Sequence, residues 1–378
     1  MRLFLLTVAL FFSCSAFTQQ YYLFVGTYTE GSPASRGSKG IYVYRFNAAT
    51  GDAIPVSTIM TDNPSYLALA KGGRFVYSVN ETHGTIPGGV SAFSFDKRTG
   101  KLTFIDKQAS GGADPCYISV DAGRKWALVA NYSGGNLSAL PIAGDGSLRP
   151  ISEFIQHTGS GPNKARQEQA HVHSTILSPD EKYLLVADLG MDQLRVEHFD
   201  PAAAKTPLVP AADSIVKIQP GFGPRHTVFF PGKPYVYLIN ELSGMVDAFR
   251  YGNGKLTMIQ SLSSHPPGYH GEIGSADIHI SPDGKFLYAS NRGDANDIAI
   301  FAIDGATGKL TWKGAVSSGG KTPRNFMIDP TGRWLLAANQ DTSNVVIFRI
   351  DPSTGMPSPT GKQLVVPAAV CLKMTPVN

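Results

Sequence analysis

The chain has 378 residues, 33 of them Lys or Arg and 29 Asp or Glu, for a formal net charge of +4. That balance supplies no basic stripe of the kind a nucleic-acid backbone requires, so nucleic acid is not an expected partner. Forty Gly and 26 Pro in a chain that is 42% hydrophobic suit many short strands joined by tight turns, and argue against a disordered or low-complexity segment.

The first twelve residues, Met1-Arg-Leu-Phe-Leu-Leu-Thr-Val-Ala-Leu-Phe-Phe12, carry one positive charge and an apolar core, and small residues follow from Ser13 to Ala16. This pattern predicts a secretory signal peptide over residues 1–18, with the mature chain starting between about Phe17 and Tyr21. The apolar run is too short to remain as a transmembrane segment. An exported, periplasmic or secreted protein follows, with lipid attachment through Cys14 as the second reading because Phe-Phe-Ser makes a poor attachment box. Once Cys14 is removed, Cys116 and Cys371 remain, and they read as small core residues, not a disulfide.

From Leu23 onward one pattern recurs. Its clearest copy is Ser275 to Gly293, a strand ending at Ile280, a Ser-Pro-Asp-Gly turn, and a second strand from Phe286 that stops at Asn291. Copies close at Asn80, Asn131, Asp188, Asn240, Asn291 and Asn339, at intervals of 48 to 57 residues. Two more strand-like runs separate the copies, as in Gly89–Phe95 and Lys101–Ile105 around the turn Lys97-Arg-Thr-Gly100. Four strands at that period predict a propeller blade, and no 3.6-residue apolar pattern supports a helical repeat. Leu23-Phe-Val-Gly-Thr-Tyr28 reads as a second strand lacking its first, and Pro367-Ala-Ala-Val-Cys-Leu372 as a first strand lacking its second. Joining them closes a seventh blade and leaves no open sheet edge. The prediction is an all-β, seven-bladed β-propeller of four-stranded blades, one domain over residues 21–374. Nothing in the repeat specifies an oligomeric state.

A repeat contains its own control: an ionisable residue in a few copies, where the others hold ordinary ones, marks a candidate site. The column four residues before the last apolar position of the first strand holds Ser65, Cys116, His173, Arg225, Ala276, Arg324 and Ala368. The next column holds Tyr66, Tyr117, Ser174, His226, Asp277, Asn325 and Ala369. First strands of propeller blades line the central channel, so both columns are expected at one mouth of it. The residue after each closing Asn or Asp is expected near the same mouth: Glu81, Tyr132, Leu189, Glu241, Arg292 and Gln340.

Blander readings apply to several polar residues. His171 and His173 have a spacing that suits a metal, but no third ligand is offered at short range, so no metal is expected. His279 alternates with apolar residues and reads as a hydrogen-bonded core histidine. Glu81 and His83 read as polar loop residues, and the closing Asn and Asp as backbone-bonding turn residues.

Leu23-Phe-Val-Gly-Thr-Tyr28, Val129-Ala-Asn-Tyr132, His171-Val-His-Ser174, Val186-Ala-Asp-Leu-Gly190, Gly223-Pro-Arg-His226, Ile239-Asn-Glu241, Asn291-Arg-Gly293 and Pro323-Arg-Asn-Phe326 together resemble the seven-bladed propeller lactonases, a family that includes 6-phosphogluconolactonases and carboxy-cis,cis-muconate cyclases. The resemblance implies catalytic roles for His173, with His171 as the close alternative, and for Arg225, Glu241 and Arg292; the column comparison also selects His173, Arg225, Glu241 and Arg292. His171, His226, Asp277 and Arg324 are the expected substrate-binding residues. Lactone hydrolysis asks for a base to activate water, here Glu241 or His173, and for a cation where the oxyanion forms; Arg225 is the expected oxyanion or carboxylate partner. Arg292 and Arg324 suit the acidic end of a lactone or polycarboxylate, because a planar guanidinium meets a carboxylate through two hydrogen bonds. No cofactor is required, and no Gly-x-Ser-x-Gly elbow points to a serine acyl-enzyme. The expected function is an exported lactone hydrolase, 6-phosphogluconolactonase-like. The alternatives are a muconate-type cyclase and a non-catalytic propeller that binds protein or glycan.

Overall fold

A computed structural model describes residues 19–84 and 87–377; the expected signal peptide and Cys14 lie outside them. Seven four-stranded antiparallel sheets form the blades. The innermost strands, Leu67–Leu69, Pro115–Val120, Val172–Leu177, Pro224–Phe229, Ser275–Ile280, Pro323–Ile328 and Ala369–Pro376, contact one another in sequence and return to the first, so the ring is closed. Closure occurs where expected: Gln20–Thr27 pairs with Ala369–Pro376, with Leu23 opposite Met374 and Val25 opposite Leu372. The C-terminal strand begins two residues later than the sequence suggests, because Ala368 has a left-handed backbone with φ 43° that precludes strand geometry. No helix among the described residues is long and apolar enough to cross a membrane.

In several copies the first turn is held by its own side chains. Ser281 Oγ donates to Asp283 Oδ1 at 2.6 Å and accepts the Phe286 N–H at 3.0 Å, while Gly284 takes φ 73°. Ser178 repeats the arrangement with Asp180 and Tyr183. Blades are then tied to their neighbours by buried tyrosines on the second strands: Tyr237 donates to Gly308 O at 2.9 Å and Tyr288 to Gly355 O at 2.8 Å. The Trp334 indole does the same across the closing junction, donating to Ala48 O at 2.9 Å. Ser281→Ala would strand the buried Phe286 N–H, so it is expected to cost about 1–3 kcal/mol, read as a lower melting temperature. An unchanged melt would contradict the importance of this turn.

The feature that positions the site is a β-bulge repeated at the start of the inner strands. The ladder slips between Pro115 and Tyr117, Val172 and Ser174, Pro224 and His226, Ser275 and Ile278, and Pro323 and Asn325. Strand side chains normally alternate between faces, and a bulge breaks that alternation and re-aims one residue. The extra residues are Cys116, His173, Arg225, the Ala276-Asp277 pair and Arg324; five of these six belong to the first column selected above, and Asp277 belongs to the second.

Candidate active site

The carbonyl two residues before each bulge accepts the N–H of the residue that follows the closing Asn or Asp. Gly223 O takes Glu241 N at 2.7 Å and Thr322 O takes Gln340 N at 3.0 Å, and Asn63 O makes the same bond to Glu81 N at 3.0 Å in a blade whose inner ladder does not slip. Several of these carbonyl-bearing residues are left-handed, among them Asn63, Asp114, Gly223 and Thr322. The closing amides bond backbone as read from sequence: Asn131 Nδ2 donates to Ser110 O at 3.1 Å and Asn291 Nδ2 to Ser264 O at 2.9 Å. One backbone motif therefore brings the bulge column and the post-Asn column together at a single mouth of the channel.

At that mouth lies a cleft of about 570 Å³ whose lining includes His173, Glu241, Arg292, Arg324, Glu81 and Arg166. Glu241 is its hub. Its Oε2 accepts from Arg225 Nε at 2.8 Å and pairs with Arg292 Nη2 at 3.1 Å, and its Oε1 accepts from Arg166 Nη2 at 2.6 Å. His173 Nε2 stands 3.8 Å from Oε2. Burial alone would raise the Glu241 pKa, but Arg292, Arg225, His173 and Arg166 outweigh it and hold the carboxyl well below its usual value. His173 moves the other way for its class. Burial, Arg225 and His226 push it well below the ordinary imidazole value against the pull of Glu241, so it is neutral at pH 7. Arg292 is lowered to about 10 by burial, opposed by Glu241 and reinforced by the neighbouring guanidiniums, and stays charged.

Across the cleft, Arg324 Nη2 lies 3.7 Å from Glu81 Oε1 and its guanidinium sits 5.4 Å above the Tyr28 ring. Tyr28 OH donates to the same Glu81 oxygen at 2.8 Å, and Ser65 Oγ donates to the other. Four guanidiniums (Arg166, Arg225, Arg292, Arg324) thus meet three carboxylates, Glu81, Glu241 and the exposed rim residue Glu272. The remaining positive field favours an anion or a developing oxyanion.

The expected site residues therefore divide. His173, Glu241, Arg292 and Arg324 line the cleft. Arg225 is 2% exposed and lies behind Glu241, where its Nη1 also donates to Ala276 O. His171 is outside the cleft, stacked on Tyr132 at 4.3 Å and bonded to Tyr132 O and Glu168. His226 and Asp277 lie deeper in the channel, lining a cavity of about 300 Å³ with Lys373, His279 and Phe229. His279, read as a core histidine, is bonded as expected, with Nε2 2.9 Å from Asp277 Oδ2, but faces that cavity half-buried.

Glu81 is corrected from a loop residue to a cleft residue; it shares the Glu241 column, which was the available signal. Arg166 escaped notice because it belongs to the connection between Gln156 and Val172, outside the repeat. Its signal was length, since the copy containing it is the longest. Cys116 and Cys371 are free and buried, and no group of three or more His, Cys, Asp or Glu among the described residues is placed to hold a metal.

The buried imidazoles make stability depend on pH. Burial, then Arg225, lower His226 to about 4 despite its bond to Asp277. The unfolded imidazole, near 6.5, takes up its proton first, so the unfolded state binds more protons between about pH 6.5 and 4. Stability is fully present above that window and is lost as pH falls through it. The melting temperature is expected to drop from pH 7 to pH 4, and a constant value would contradict buried neutral imidazoles.

A closed seven-bladed ring with an arginine-rich, histidine-bearing cleft at one channel mouth defines a propeller of the lactonase class. The family described as Lactonase, 7-bladed beta-propeller, matches residues 22–374, and the chain belongs to it. It is 40% identical over 354 residues to the 6-phosphogluconolactonase of Formosa agariphila, covering 93% of this chain and 99% of that one. It is 36% identical to the 6-phosphogluconolactonase of Bacillus subtilis, covering 94% and 98%. Among solved structures, the periplasmic gluconolactonase of Pseudomonas aeruginosa superposes with a TM-score of 0.89 at 37% identity, covering 95% of this chain and 100% of that one.

Proposed function

We propose that this chain is an exported lactonase that hydrolyses the ester of a small sugar or acidic lactone. The observation that carries the reading is a neutral His173 beside Glu241 and Arg292 in one cleft. Both Glu241 oxygens already serve charged donors, so Glu241 is the anion that organises the site, and His173 is the group with basicity to spare. His173 Nε2 takes a proton from water as the water oxygen bonds to the lactone carbonyl carbon, and the carbonyl electron pair becomes an oxyanion beside Arg292. Glu241 then faces a charged imidazolium, which it stabilises. Collapse breaks the ring C–O bond, and the imidazolium returns its proton to the departing alkoxide, giving a hydroxy acid whose carboxylate Arg324 and Arg292 can hold. Arg225, behind Glu241, supports that carboxylate and does not itself meet the oxyanion.

The predicted signal peptide and the similarity to a periplasmic gluconolactonase support export and hence a lactone found outside the cytoplasm. The test is turnover of gluconolactone, its 6-phosphate and carboxymuconate by the mature chain. Hydrolysis of one of the two sugar lactones is expected; the phosphorylated one being preferred would favour a phosphate subsite at Arg324. Cyclisation of carboxymuconate without lactone hydrolysis would overturn the reading in favour of the cyclase, and no turnover of any of the three would leave a binding propeller.

A further inference from the structure

From the hydrogen-bonded line that leads away from the cleft, we infer that Asp277 and His226 are positioning residues, which fix the Arg225 guanidinium and through it the Glu241 carboxylate. This rests on the lactonase reading of the cleft, but its geometry stands apart. Arg225 Nη1 lies 3.3 Å from His226 Nε2, His226 Nδ1 lies 2.8 Å from Asp277 Oδ1, and Arg225 Nε holds Glu241 at 2.8 Å. Every member is buried: Arg225 2%, His226 5%, Asp277 2% and Glu241 4% exposed.

The proton positions along the line follow from chemistry. A guanidinium can only donate, so His226 Nε2 must accept, which puts the imidazole proton on Nδ1, where it is donated to Asp277. His226 is neutral near pH 7, as this single tautomer requires. Asp277 has to be a carboxylate. Its Oδ1 also accepts the Ile278 N–H at 3.0 Å, and its Oδ2 accepts the Asn325 side-chain amide. Asn325 cannot turn over, because its Oδ1 accepts the Leu372 N–H at 2.7 Å. An amide at 277 would therefore aim its NH2 at a fixed donor in either orientation. Neither Asp277 nor His226 lines the cleft: Asp277 bonds His226, and His226 meets the cleft residues from behind, through Arg225 and by packing edge-to-face on His173 at 5.3 Å, so neither touches substrate.

The experiment compares Asp277→Asn, His226→Gln and His226→Asn with wild type in steady-state lactone hydrolysis, with thermal melts as folding control. Nitrogen-15 NMR of wild type reads the His226 tautomer. Glutamine can place an oxygen near the Nε2 position and keep an acceptor for Arg225, whereas asparagine mimics only Nδ1. Asp277→Asn is expected to lower kcat at least tenfold with KM within about threefold, and His226→Gln to keep more kcat than His226→Asn. NMR is expected to show a neutral ring protonated at Nδ1. A folded Asp277→Asn enzyme with wild-type kcat, equal or better activity in His226→Asn than in His226→Gln, or an Nε2–H tautomer would each overturn the inference. If wild type hydrolyses no lactone, the proposed function fails and the tautomer alone decides the relay.

Discussion

Replacing His173 with glutamine is expected to lower kcat/KM for lactone hydrolysis by roughly 10²–10⁴, the usual contribution of a positioned general base, while leaving the protein folded. The wild-type ring is already neutral, so the substitution removes no buried charge. Its closest polar contacts are loose: Glu241 Oε2 at 3.8 Å and Cys116 Sγ at 3.7 Å. Glutamine can occupy much of the same space and cannot take a proton. The measurement is initial rate against substrate concentration, with the melting temperature as control. A His173→Gln enzyme within threefold of wild type would remove His173 from the chemistry.

Glu241→Gln is expected to fail differently. It removes the one charge that Arg225, Arg292 and Arg166 share, and Arg225 is buried with no other carboxylate within ion-pair reach among the described residues. Breaking a buried pair by neutralising one partner costs about 3–5 kcal/mol, so a clear fall in melting temperature should accompany a loss of turnover of at least a hundredfold. Sequence alone suggests Glu241 as an interchangeable choice of base, for which glutamine would preserve folding. The three-arginine cage argues instead that stability and turnover fall together. A stable Glu241→Gln protein with low turnover would return Glu241 to the role of base.

The contrast between these two residues shows what the sequence could and could not disclose. The blades were legible because turn residues make local contacts, as Ser281 does with Asp283 and Phe286, and because the closing Asn or Asp recurs at a nearly constant interval. The column holding Cys116, His173, Arg225 and Arg324 was legible by comparison between copies. The bulge that re-aims that column was not, because a bulge is a property of two paired strands and leaves no residue type of its own. It explains why His173 faces the cleft while His171, two residues earlier and alike in sequence, packs on Tyr132. Arg225 and His226 adjoin in sequence yet serve the cleft from behind, a depth that only the closed ring defines. Arg166 enters from a connection outside the repeat, where comparison between copies has nothing to compare.

The most direct test of the account is the pH dependence of kcat/KM for gluconolactone hydrolysis from pH 4 to 7.5. A neutral His173 acting as base, with its pKa well below the ordinary value, predicts a plateau that extends below pH 6.5 and a single-proton fall at lower pH, absent from the residual activity of His173→Gln. A fall already complete at pH 6.5, or the same acid limb in the His173→Gln enzyme, would contradict it.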